Sequence, residues 1–132
     1  MSDPGEDPEQ GEKFVSKMYI VVRQDLNAGY QLPQAIHAKD EFTHNFPEIE
    51  GKWYKESNTM VVLGVANEDE LLRLDDAARE LELRAAIFYE PDIETYTALA
   101  IEPGEKSAKL LCGLRPAGIG SGKSHKRRRR RR

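Results

Sequence analysis

Apolar and polar positions along this chain switch between two periods. Met18-Tyr19-Ile20-Val21-Val22 is a continuous apolar, β-branched run. Such a run predicts a strand covered on both faces, as parallel strands are. Asp25 to Tyr30, with Asn27 and Gly29, predicts a loop. Pro33 fits the first turn of a helix, where its missing N–H costs nothing. A helix is therefore expected from Pro33 to about Asn45, with Ala35, Ala38 and Phe42 inward. Gln34, His37, Glu41 and His44 recur on that helix as one polar stripe, and Phe46-Pro47 ends it. Residues 48–57 are ambiguous and compatible with a short helix presenting Trp53. Thr59 to Ala66 predicts a second buried strand. Asn67, with Glu70 three residues on, starts a helix with a capping-box pattern. Leu71, Leu74, Ala78 and Leu81 then recur at helical spacing, so the helix is expected over 68–82. Ala85 to Tyr89 predicts a third strand, Glu90-Pro91-Asp92 a turn, and Thr97 to Ile101 a fourth strand stopped by Pro103-Gly104. Ser107 to Leu114 predicts a short last helix.

The expected order is β-α-β-α-β-β. Alternation implies parallel strands joined by crossovers. The connection over 90–96 is too short for a crossover helix, so the last two strands are expected as antiparallel neighbours or joined across the sheet by a tight loop. The fold class is α/β, a small four-stranded mixed sheet covered by helices.

Charge changes the picture at the two ends. Residues 1–12 hold five acids and no base, residues 115–132 hold nine bases and no acid, and 13–114 carry eleven bases against eighteen acids. The formal net charge of −3 hides this segregation. We expect a disordered acidic leader over 1–16, a folded body over 17–114 and a disordered Gly-Ser and poly-Arg tail over 115–132. A lone Cys112 excludes an internal disulfide and fits a reducing compartment. No apolar run approaches the ~20 residues that span a bilayer. The acidic start fits neither a secretory signal nor a transit peptide. An intracellular, cytoplasmic protein with no membrane partner is the expectation.

Several motifs carry less than they promise. Ala117-Gly118-Ile119-Gly120-Ser121-Gly122-Lys123-Ser124 fits the loosest form of a phosphate-binding loop. Only His125, Lys126 and six arginines follow it, so no helix can cradle the phosphates and we read a linker. His37 and His44 lie seven apart on one helix with Glu41 between, too few converging ligands for a metal. The plainer reading is a partly buried His37 and an exposed His44. Cys112 is expected as a small core residue. Lys126, Arg127, Arg128, Arg129, Arg130, Arg131 and Arg132 could neutralise about seven phosphates, a strongly salt-dependent contact without sequence specificity. A targeting address or a merely solvated tail is the alternative.

Lys17-Met18-Tyr19-Ile20-Val21-Val22-Arg23-Gln24-Asp25-Leu26, then Gly29, then Gln34-Ala35-Ile36-His37-Ala38, resembles the opening of the type 2 peptidyl-tRNA hydrolases. Ser57 to Leu63 resembles that family's second strand, Asn67 to Leu83 its Leu-rich helix, and Thr95 to Pro103 its last strand. The resemblance covers about 17–112 and is most specific from the first strand through Gln34 and His37. Three departures stand out. The loop from Asp25 to Gln34 is two residues shorter than the family's. Tyr30 stands where the family has a helix-start lysine. Glu90-Pro91-Asp92-Ile93-Glu94-Thr95 replaces a longer segment containing an acid and an arginine.

The resemblance implies an α/β sandwich that hydrolyses the ester joining a peptide to tRNA, with no metal or organic cofactor. Such a reaction needs an activated water, a stabilised oxyanion and a grip on tRNA. Asp92 is the first candidate to activate water and Glu90 the second, although an acid after Pro in a tight turn often caps the turn. Thr95, Thr97 or the Gln34 amide could donate to the oxyanion, and His37 could hold one of these groups in place. Arg23 could bind a phosphate or pair with Asp25. Lys17 or Arg23 could refill the space left at Tyr30. The basic tail could supply attraction that an acidic body lacks, and a homodimer is a further expectation. The competing expectation is a relative that has lost its chemistry and binds RNA or tRNA only.

Overall fold

The computed structural model describes residues 16–118. The acidic leader, most of the Gly-Ser stretch and the basic run lie outside the described residues. The elements are β1 (Lys17–Arg23), α1 (Ala28–Asn45), α2 (Pro47–Glu56), β2 (Thr59–Val65), α3 (Glu68–Glu80), β3 (Ala85–Glu90), β4 (Thr95–Ile101) and α4 (Glu105–Leu110).

The four strands form one mixed sheet in the order β2-β1-β4-β3. β1 pairs with β2 in parallel, and β4 runs antiparallel to both β1 and β3. The short turn after β3 thus makes neighbours of β3 and β4, as its length requires. β1 is central, and its apolar run is buried as expected: Met18, Ile20, Val21 and Val22 are inaccessible. Alternation sends Met18, Ile20 and Val22 to one face, where they meet Ala35, Ala38 and Phe42 of α1 and Trp53 of α2. Val21, Leu99 and Ile101 face the other way, onto Leu71 and Ala78 of α3 and onto Leu111. The result is a helix–sheet–helix sandwich with a core on each side.

α2 resolves the ambiguous stretch, with Trp53 buried. Lys39 of α1 reaches Glu50 of α2 at 2.8 Å and lies 5.3 Å from the Trp53 ring, joining the two helices. The Trp53 indole donates to the Thr59 carbonyl at 2.8 Å, fixing the entry into β2.

Several expectations need correction. α1 begins at Ala28, so Pro33 lies inside the helix and not in its first turn. Pro33 withholds one hydrogen bond from the carbonyl of Gly29. The early start survives because Gln31 is buried, and its amide donates to the Leu26 carbonyl at 2.8 Å, pinning the first turn to the loop before it. β2 is not buried on both faces; it is an edge strand, and Met60 is exposed. The last helix spans Glu105–Leu110, not 107–114, and Cys112 is exposed beyond it. The expected tail starts within the fold: Leu63 bridges Pro116, Gly64 N–H donates to the Arg115 carbonyl, and Ala117 N–H donates to the Val62 carbonyl. That contact lies beside Gly64, where a Cβ would stand 2.7 Å from Gln24 Cγ and would displace the Gln24 side chain.

α3 starts as its sequence predicts. The Asn67 side chain accepts from Glu70 N–H at 3.0 Å, and the Glu70 carboxylate accepts from Ala66 N–H at 2.9 Å. Asn67→Ala should lower stability by about 1 kcal/mol. A shift of the urea midpoint at unchanged slope measures this. No shift would mean that Glu70 alone holds the helix start.

Candidate active site

β1, β2 and β3 all end at the same edge of the sandwich, where α1 and α3 begin. In open α/β sheets, ligands bind at the carboxyl ends of parallel strands. The candidate residues divide there into two groups, one on each face of the sheet.

The first group lies under α1. Glu90, the last residue of β3, is 8% exposed. Gln34 and Thr97 are also buried. The Thr97 hydroxyl donates to Gln34 Oε1 at 2.6 Å, and Gln34 Nε2 donates to Glu90 Oε1 at 2.9 Å. The backbone N–H of Asp92 donates to Glu90 Oε2 at 3.2 Å. His37, one turn further along α1, is exposed and stacks on Phe88 with ring centroids 4.7 Å apart.

Thr97 reaches this face through a break in the strand pattern. β4 places Leu99 and Ile101 on the α3 face, and simple alternation would send Thr97 with them. The register between β3 and β4 shifts after Phe88, which pairs with Ala98, while Tyr89 pairs with Tyr96. Thr97 is the extra residue of that bulge, and the bulge re-aims its hydroxyl at Gln34. The following turn ends on Glu94, held at φ 55 in the left-handed region, where a residue other than glycine is under strain.

The donors of Gln34 and of the Asp92 backbone hold the Glu90 carboxyl below its ordinary value of 4.5, against the opposing effect of desolvation; the nearby His37 adds to the lowering. Glu90 is therefore an anion across the neutral range.

The second group lies under α3. Arg23 meets Asp25 through two contacts of 2.9 and 3.0 Å. Its remaining amino group donates to Thr95 Oγ1 at 2.8 Å and to the Tyr96 carbonyl at 3.0 Å. Glu68, at the start of α3, accepts from Tyr96 N–H at 3.1 Å. That bond, a second from Thr95 and the charge of Arg23 hold Glu68 below its ordinary value too.

Sequence reasoning had ranked Asp92 first, yet Asp92 is exposed in the turn, and its backbone serves Glu90. Thr95 pairs with Glu90 across β3 and β4, but its hydroxyl belongs to the Arg23 group. Each nitrogen of the Arg23 guanidinium makes a hydrogen bond. Lys17 begins β1 and Arg23 ends it, roughly 20 Å away at ~3.3 Å per residue. Tyr30 lies in the first turn of α1 on the same stripe as Gln34 and His37. Lys126 and Arg127 to Arg132 lie outside the described residues. Sequence reasoning missed Glu68 and the amides of Gln24 and Gln31. Gln24 Nε2 donates to Gln31 Oε1 at 3.0 Å, and Gln24 Oε1 accepts from Gly118 N–H at 2.7 Å. A glutamine beside a buried helical glutamine carries no pattern that announces this. Among the described residues, no group of three His, Cys, Asp or Glu could hold a metal ion, and no helix is long and apolar enough to cross a membrane.

Two carboxylates anchored below their ordinary values make the fold acid-sensitive. A group that ionises more readily when folded binds protons more tightly when unfolded. The contributions of Glu90 and Glu68 are therefore complete above the ordinary glutamate range and drain as pH falls through their folded values. Urea midpoints taken from about pH 6 down to about pH 3 should fall steeply in the wild type and less steeply in Glu68→Gln/Glu90→Gln. Equal slopes would contradict the anchoring.

A family model described as Peptidyl-tRNA hydrolase PTH2 matches residues 16–109. Comparison with curated proteins finds no match. Among solved structures, a protein of unknown function from Agrobacterium tumefaciens strain C58 shares the fold, with 14% identity and a TM-score of 0.59 over 80% of this chain and 99% of that one. The family match runs from the residue before β1 into α4 and takes in every element that builds the two polar groups; on that span, the chain belongs to the type 2 peptidyl-tRNA hydrolase family.

Proposed function

We propose that this chain hydrolyses the ester joining a peptide, or an N-blocked amino acid, to tRNA. The observation that carries the reading is Glu90, a carboxylate fixed by the Gln34 amide and the Asp92 N–H at the carboxyl end of the sheet in a chain of this family. In this reading Glu90 takes a proton from water as the water attacks the ester carbonyl. The carbonyl electrons move onto oxygen, and collapse of that oxyanion breaks the bond to the ribose oxygen, which takes the proton from Glu90 and leaves as a hydroxyl. His37 is exposed beside Glu90 and is the side chain placed to meet the developing negative charge. Asp92 keeps the turn over Glu90 through its backbone.

The basic tail is proposed to contact tRNA phosphates, and the leader and tail are proposed to flank a body over 17–114, which the contact at Pro116 extends by a few residues. The cytoplasm is the compartment that this reading implies.

The test is release of N-blocked amino acid from tRNA by the full chain. A second reading has its own support: Tyr30 stands in the lysine's place, and Arg23 is engaged elsewhere. If tRNA binds in a salt-dependent way but no ester is cleaved, the chain is an RNA-binding relative.

A further inference from the structure

We propose that Thr97 and Gln34 are positioning residues for Glu90: the Thr97 hydroxyl fixes which way the Gln34 amide points, and the amide fixes Glu90 as a proton acceptor. This rests on the reading of Glu90 as the group that activates water.

The polarity follows from what each group can do. An ionised carboxylate only accepts hydrogen bonds. Glu90 Oε1 lies 2.9 Å from the amide, so that end of Gln34 is Nε2. Oε1 of Gln34 then faces Thr97, and at 2.6 Å the hydroxyl must donate to it. Gln34 and Thr97 are buried, so the bond between them has little competition from water, while Glu90 keeps 8% of its surface exposed. Three elements contribute one member each: β4, α1 and β3. The member from β4 is present only because the bulge turns Thr97 toward α1.

The arrangement assigns a role that neither residue has alone. A buried glutamine can rotate its amide by half a turn at little steric cost. Rotated, it would present an oxygen to Glu90, and two acceptors would face each other. That geometry favours a protonated Glu90, which cannot take a proton from water. The donating hydroxyl of Thr97 disfavours the rotated state. The amide of Gln34 is thereby committed to Glu90, which leaves His37 to face the substrate.

The titratable groups around Glu90 are His37 on α1 and Asp92 in the turn; β4 offers the hydroxyl of Thr97, and Thr95, which pairs with Glu90 in the sheet, turns its hydroxyl to Arg23. Carbon-detected NMR of labelled glutamate carboxyls separates the titration of Glu90 from both neighbours.

The experiment uses the full chain as wild type, Thr97→Val and Thr97→Ser. It measures the Glu90 titration and the pH dependence of kcat and KM for release of N-blocked amino acid from tRNA. We expect Thr97→Val to move the Glu90 midpoint upward, and the acid limb of kcat to move with it. We expect kcat to fall on the order of 10²-fold with KM unchanged, as for a misplaced reacting group. Thr97→Ser, which keeps the hydroxyl, should restore both. If Thr97→Val does not fold, Gln34→Met removes the same donor and should raise the same midpoint. An unmoved Glu90 midpoint in a folded Thr97→Val or Gln34→Met protein overturns the proposal. If the wild type cleaves no ester while the midpoint still moves, the positioning holds and the hydrolase reading falls.

Discussion

Glu90→Gln lowers kcat for release of N-blocked amino acid from tRNA by about 10²–10⁴-fold, the range that a positioned general base contributes. The substitution keeps the shape of the side chain and removes its ability to accept a proton. KM should change little, because in this reading Glu90 acts on the attacking water and does not grip the tRNA. Asp92→Asn is the informative partner. Its carboxylate is exposed, while its backbone N–H, which the substitution leaves in place, holds Glu90 at 3.2 Å. Asp92→Asn should therefore cost far less than Glu90→Gln. If the order is reversed, Asp92 activates the water and Glu90 only anchors the turn. Urea unfolding of both variants separates a loss of chemistry from a loss of fold.

Phe42→Ala has the largest expected effect on stability. Phe42 is inaccessible, lies against the sheet from α1, and packs on Phe46 with the rings tilted and their centroids 5.0 Å apart. Its removal loses the transfer energy of the ring and leaves a cavity between α1 and β1, costing about 3–5 kcal/mol. Against a total of roughly 5–15 kcal/mol, that is a large share. For a fold of this size, Tm should drop on the order of 20 °C. A drop of only a few degrees would mean that α2 and Trp53 close over the cavity. Ile36→Ala on the same helix is the control, since Ile36 is half exposed.

The strands and the α3 start were legible because each obeys a local rule. β1 is buried on both faces, and its composition says so. α3 carries its cap and its apolar spacing in adjacent residues. α1 was misread at its start because Pro33 obeys a rule for first turns, whereas the helix is begun by the contacts of Gln31 with a loop. β2 was misread as buried because composition does not tell an edge strand from a central one. The site was legible in its membership and not in its geometry. Gln34, His37, Glu90 and Thr97 all drew attention, but the bulge that turns Thr97 follows from how β3 and β4 match in length. Glu90 and Asp92 are two residues apart, and only the packing of α1 decides which of them is covered.

The contact at Pro116 bears on how copies of this chain can meet. The free rim of β2 is occupied by residues 115–117 of its own chain, whereas among the described residues the rim of β3 is bare. A sheet with two bare rims can recruit strands without limit, as fibres do. A sheet with one bare rim can join one other copy, and after that nothing remains to extend. Three residues at the end of the fold therefore blunt the β2 rim at Val62 to Gly64, which leaves β3 as the open edge among the described residues.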